Sequence, residues 1–117
     1  MNVATLALHK GLKLLVDAPA GRGDVARICA SNTMSDLIAN AGRDTLIVTS
    51  LNNSQLVRVA ELMEVPGICL VADATPCPEL LESARLAGTS LMVTPLGMDE
   101  ARVLLERLVV SSGAALP

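Results

Sequence analysis

One short phrase occurs three times in this sequence. Leu46-Ile47-Val48-Thr49-Ser50, Cys69-Leu70-Val71-Ala72-Asp73 and Leu91-Met92-Val93-Thr94-Pro95 each run three apolar residues into small or polar ones. The copies start 23 and 22 residues apart, and the segments between them carry apolar residues at helical spacing. A short apolar run, a helical segment and another short run at this interval describe strand, helix, strand, and a parallel sheet. The runs are continuous rather than alternating, which suits strands covered on both faces. The pattern therefore predicts an α/β fold: three layers, a mostly parallel sheet with helices on both faces, built from βα units.

The rest of the chain falls into place around that core. Residues 3–10 read as a short helix closed by Gly11, residues 12–16 as a strand, and residues 17–23 as a loop rich in Gly, Ala and Pro. Residues 25–30 read as a second strand. Thr33 and Asp36 have capping-box spacing ahead of a helix over 34–41, with Gly42 placed to close it in the left-handed conformation. Asn52 and Gln55 repeat the cap spacing ahead of a helix whose face is Leu56, Ala60 and Met63. Pro66-Gly67 ends that helix. Thr75-Pro76-Cys77-Pro78 starts the next, with Leu80, Leu81, Ala84 and Ala87 inward and Gly88 at its end. Asp99-Glu100 open a last helix with Ala101, Leu104, Leu105 and Leu108 as its core stripe. One domain over 1–110 and a loose tail over 111–117 are expected.

Composition removes several functions. Apolar residues make up 51% of the chain, yet Phe, Tyr and Trp are all absent. Single-stranded nucleic acid is usually held on aromatic platforms, which this chain lacks. The net charge is −3 and the basic residues are scattered, so no phosphate-backbone footprint exists. No apolar run approaches the roughly 18 residues that span a bilayer, and residues 1–16 lack the order of a signal peptide. A cytoplasmic protein is expected, with neither nucleic acid nor membrane as partner. Cys29, Cys69 and Cys77 are odd in number and form no C-x-x-C pair, and His9 is the lone histidine, so neither a disulfide framework nor a structural metal site is expected.

In open parallel sheets, ligands bind outside the carboxyl ends of the strands. That edge would carry Thr49, Ser50, Asn52, Asn53, Asp73, Thr75 and Thr94, joined by Ser31, Asn32 and Thr33. Their hydroxyls and amides, with helix N-terminal N–H groups, could cradle a small anion or nucleotide. The same residue types are also ordinary helix caps. No phosphate loop, dinucleotide fingerprint or nucleophile elbow is present, so no catalytic residues are assigned. Asp73 and Thr94 resemble the phosphoacceptor and switch threonine of a response-regulator receiver. That reading lacks the acidic pair for Mg²⁺ and the lysine at the last strand. Cys77 at a helix start admits a redox role.

Taken together, these residues resemble the DRTGG domain family, itself similar to the N-terminal domain of HPr kinase. The resemblance covers nearly the whole length. It is carried by Met34-Ser35-Asp36-Leu37-Ile38-Ala39-Asn40-Ala41, residues 44–50, Val59-Ala60-Glu61-Leu62, residues 68–71 and Leu91-Met92-Val93-Thr94-Pro95-Leu96. The family's D-R-x-x-T-G-G run should fall near residues 22–28. The sequence there is Arg22-Gly23-Asp24-Val25-Ala26-Arg27-Ile28, and the signature is missing. The resemblance implies a non-catalytic regulatory module that tends to dimerise, found beside nucleotide-sensing CBS domains or alone. The phosphate loop of HPr kinase belongs to another domain. A regulatory or small-ligand sensing homodimer is therefore expected, with a protein-interaction or scaffolding module, which would have a protein partner, as the alternative.

Overall fold

A computed structural model of the chain describes residues 3–9, 11–17 and 24–111. The elements are α1 (Val3–Leu6), β1 (Lys13–Val16), β2 (Arg27–Ala30), α2 (Met34–Asn40), β3 (Thr45–Thr49), α3 (Gln55–Met63), β4 (Gly67–Leu70), α4 (Pro78–Ala87), β5 (Ser90–Val93) and α5 (Met98–Ser111). The five strands form one sheet in the order β1-β5-β4-β3-β2. β2, β3, β4 and β5 pair in parallel, while β1 runs antiparallel to β5, with Lys13 opposite Val93.

Because successive side chains in a strand face opposite sides, each apolar run feeds two cores. Ile47, Ile68, Leu70 and Leu91 pack with Leu37, Leu56, Ala60, Leu80 and Ala84 from α2, α3 and α4. Leu46, Val48, Cys69 and Met92 pack on the other face with Val3 and Leu6 of α1 and Ala101, Leu105 and Val109 of α5. Three layers result, as the unbroken apolar strands require.

Several helix ends differ from expectation. The first helix stops at Leu6, because Gly11 N–H bonds to His9 Nδ1 (3.2 Å) and Leu12 N–H to the His9 carbonyl (3.0 Å), turning the chain into β1. The second strand starts at Arg27: the Ala26 and Arg27 N–H groups share the Asp44 carbonyl, at 2.8 and 2.9 Å. Gly42 does not close α2. Ala41 does so in an extended conformation (φ −76°), and Gly42 N–H instead bonds Thr45 Oγ1 (3.1 Å). The helices α3 and α4 do end left-handed, at Glu64 and Gly88. The tail expected over 111–117 lies outside the described residues apart from Ser111, which ends α5.

Two features at the sheet's base are testable. Thr89 is buried, and its Oγ1 has no hydrogen-bond partner among the described residues. Valine keeps the shape and removes the stranded hydroxyl, so Thr89→Val should stabilise the fold by about 1 kcal/mol in denaturant titration. Beside the start of β3, Arg27 Nε meets Asp44 Oδ1 at 3.0 Å and Arg27 Nη2 meets Thr45 Oγ1 at 2.9 Å. Partial burial pushes the Asp44 carboxyl up, but the hydrogen bond and charge of Arg27 outweigh it and hold the group below its usual 3.8. A depressed carboxylate contributes stability above its unfolded value and loses it as pH falls through the folded one. Wild type should therefore lose more melting temperature than Asp44→Asn on acidification below about pH 4.

Candidate functional site

The carboxyl ends of β2, β3, β4 and β5 share one edge, and α2, α3, α4 and α5 all begin there. Side chains and backbone stitch the successive loops into a continuous band. Asn32, after β2, accepts at Oδ1 from Ser50 N–H (2.9 Å) and Ser50 Oγ (2.7 Å), after β3. The backbone donor fixes which amide atom is the oxygen. Asn52 then bridges to the next loop: Nδ2 donates to the Thr75 carbonyl (2.7 Å) and Oδ1 accepts Cys77 N–H (2.8 Å). That loop is tied on in turn by Ala72 N–H to the Leu96 carbonyl (2.6 Å) and Asp73 N–H to the Thr94 carbonyl (3.0 Å).

The ten candidate residues thus lie along one rim, but in different roles. Thr49 is fully buried. Its Oγ1 accepts Leu51 N–H (3.1 Å) and lies 3.4 Å from Asn32 Oδ1. Thr94 is buried as well, with Oγ1 accepting Leu96 N–H (3.3 Å). Both belong to the wall rather than to its open face. Asn52 is exposed, yet its amide is committed at both ends to the bridge. Ser31 Oγ is shared among Thr33 Oγ1 (3.2 Å), Thr33 N–H (3.1 Å) and Asp36 Oδ2 (3.2 Å). The open residues are Asn32, Thr33, Ser50, Asn53, Asp73 and Thr75.

Neither expected cap forms with its own side chain. Thr33 occupies the N-cap position of α2 without a side-chain cap bond; its Oγ1 and the Asp36 carboxylate both meet Ser31 Oγ instead. Ser54, not Asn52, precedes α3. α4 does begin as read, with Cys77 at the N-cap and Pro78 in the first position.

Two residues at the rim escaped sequence reasoning. Lys13 arrives because β1 is antiparallel, which places its first residue beside the last of β5. Asp36 arrives through its contact with Ser31. With Asp73, Asp99 and Glu100 also on this side, the rim mixes helix N-terminal N–H groups with carboxylates. It offers both donors and acceptors, suited to a ligand with hydroxyls or ring nitrogens as well as charge. The backbone is strained here too. Ala72 and Asp73 are both left-handed (φ 58° and 57°) in a turn closed by Ala74 N–H to the Val71 carbonyl (3.3 Å). An alanine in that region costs roughly 1–2 kcal/mol, and such strain gathers at functional sites.

Among the described residues, no group of three or more His, Cys, Asp or Glu side chains is placed to hold a metal ion. Cys69 lies in mid-strand, and burial pushes its thiol up to about 12. No described helix is long and apolar enough to cross a membrane.

This arrangement defines the class of protein: an α/β domain whose polar strand-end loops form one stitched rim. No protein-family model matches the chain, and no curated protein does. A solved structure does match. It is the crystal structure of the CBS and DRTGG domains of the regulatory region of Clostridium perfringens pyrophosphatase, complexed with the activator diadenosine tetraphosphate. The TM-score is 0.73 at 10% sequence identity, over 90% of this chain and 46% of that one. The chain therefore spans less than half of the solved protein it resembles. At this identity the likeness concerns fold, and the fold is DRTGG-like.

Proposed function

We propose that this chain is a non-catalytic regulatory domain, a single unit over 1–110, that senses a small nucleotide or anion at the strand-end rim. In this reading it works as a cytoplasmic homodimer. The observation that carries the reading is the stitched band itself, in which Asn32 and Asn52 join three loops and the backbone bonds of Ala72 and Asp73 tie on the fourth, beneath the open residues Ser50, Asn53, Asp73 and Thr75. A preformed polar edge with several helix N-termini lowers the ordering cost of binding a small polar ligand. The DRTGG-like fold supports it, since the matching structure is a regulatory region complexed with a nucleotide activator.

The test is calorimetric titration with adenine nucleotides, dinucleoside polyphosphates and inorganic phosphate. At least one should bind, and Asn53→Ala with Asp73→Ala should weaken it about tenfold or more, or roughly 1.4 kcal/mol per decade. Neither side chain supports the core, so Asn53→Ala should leave the melting temperature of the free protein unchanged, whereas Asp73→Ala should lower it slightly because residue 73 is left-handed (φ 57°). Asp73→Asn, which tolerates that conformation, separates loss of the carboxylate from loss of stability. If no probe binds, or binding ignores both substitutions, the rim is not a sensing site.

A further inference from the structure

The outer face of α5 is the strongest unassigned surface. Its inner stripe of Ala101, Leu105 and Val109 is buried on the sheet. On the opposite side Val103 (42% exposed) and Val110 (59%) stand at i and i+7, with Glu106 and Arg107 between them. These four residues line one shallow hollow of about 400 Å³ on the protein surface. A second hollow, of about 220 Å³, continues from Glu106 and Val110 towards Ala26 and Ile28 at the edge of the sheet.

We propose that this face binds a second copy of the chain, with two α5 helices packed antiparallel across a two-fold axis between Glu106 and Arg107. The proposal rests on the homodimer reading above and names its interface.

The spacing is self-complementary. An antiparallel copy centred between residues 106 and 107 sets Val103 of one protomer against Val110 of its partner, and Glu106 against Arg107. Each pairing occurs twice, as a two-fold interface requires. The four residues keep the i, i+3, i+4, i+7 spacing of one helical stripe, so they meet a partner helix together. Within the protomer, Glu106 already accepts from Arg102 Nη1 (3.2 Å), whereas Arg107 makes no ion pair among the described residues. The partner's carboxylate would supply it. A helix of 14 residues is about 21 Å long, so the contact belongs among small interfaces and should dissociate on dilution.

Analytical ultracentrifugation over a concentration series tests this on the whole chain. Wild type should show a monomer–dimer equilibrium. Glu106→Arg and Arg107→Glu should each weaken it about tenfold or more, because each places like charges across the axis twice. The double exchange should recover most of the loss, since opposite charges face again. Val110→Asp should abolish the dimer while the circular dichroism and melting temperature of the monomer stay unchanged, as expected of a solvent-facing position. A dimer untouched by Val110→Asp, or two single charge variants that the double exchange fails to rescue, would overturn this interface and leave the homodimer reading intact. A wild type that stays monomeric at every concentration would overturn both, and neither result touches ligand binding at the rim.

Discussion

Leu91→Ala should lower the unfolding free energy by about 3 kcal/mol. Leu91 is fully buried in β5, with Ile68 of β4 as its register partner on one side and Val16 of β1 on the other. Its side chain faces the core formed with α3 and α4, among Leu56, Leu80 and Ala84. None of its neighbours is aromatic, so no ring can tilt into the void. The strands hold their backbones in place, so the cavity stays open and the cost combines lost transfer energy with an unfilled hole. Urea titration followed by far-ultraviolet circular dichroism measures it, as no tryptophan or tyrosine is present to report. A loss below about 1 kcal/mol would mean the layer collapses far more readily than packed cores do.

Gly67→Ala should cost about 2 kcal/mol, for a reason of space. A Cβ there would lie 2.8 Å from Val3 Cγ2, 3.1 Å from the Ser90 carbonyl oxygen and 3.3 Å from Ser90 Cβ. Val3 could retreat only by lifting α1 from the sheet, and the Ser90 carbonyl belongs to the paired strand β5. Gly88→Ala makes the informative comparison. Nothing lies within 4 Å of its would-be Cβ, but φ is +70°, so its cost is conformational, roughly 1–2 kcal/mol. Hydrogen exchange separates the two: Gly67→Ala should loosen the amides of α1 as well, whereas Gly88→Ala should leave them protected.

The three repeats around Leu46, Cys69 and Leu91 made the parallel centre of the sheet readable, because a buried strand needs an unbroken apolar run and a crossover needs a helix. The Pro78 start and Gly88 end of α4 were readable for equally local reasons. The direction of β1 was not. Lys13 to Val16 would look the same running either way, and only its pairing with β5 brings Lys13 to the rim. The rim's membership was legible from strand ends, but not its division of labour. Asn52 has the spacing of a cap, and its actual partners, Thr75 and Cys77, lie 23 and 25 residues further on. Nothing local distinguishes a capping amide from a bridging one. Thr49 and Thr94 likewise read as ligand-facing, whereas Thr49, the last residue of β3, and Thr94, the first after β5, are both buried.

In the middle of the sheet, strands adjacent in space are also adjacent in the chain: β3 beside β4, β4 beside β5. Closing those pairs needs loops of modest length, whereas β1 and β2, consecutive in the chain, end at opposite edges. The β3–β5 block should therefore assemble early and the β1 edge zip on afterwards. Mutations at Ile47 and Ile68 would then slow refolding, while those at Leu14 would chiefly hasten unfolding.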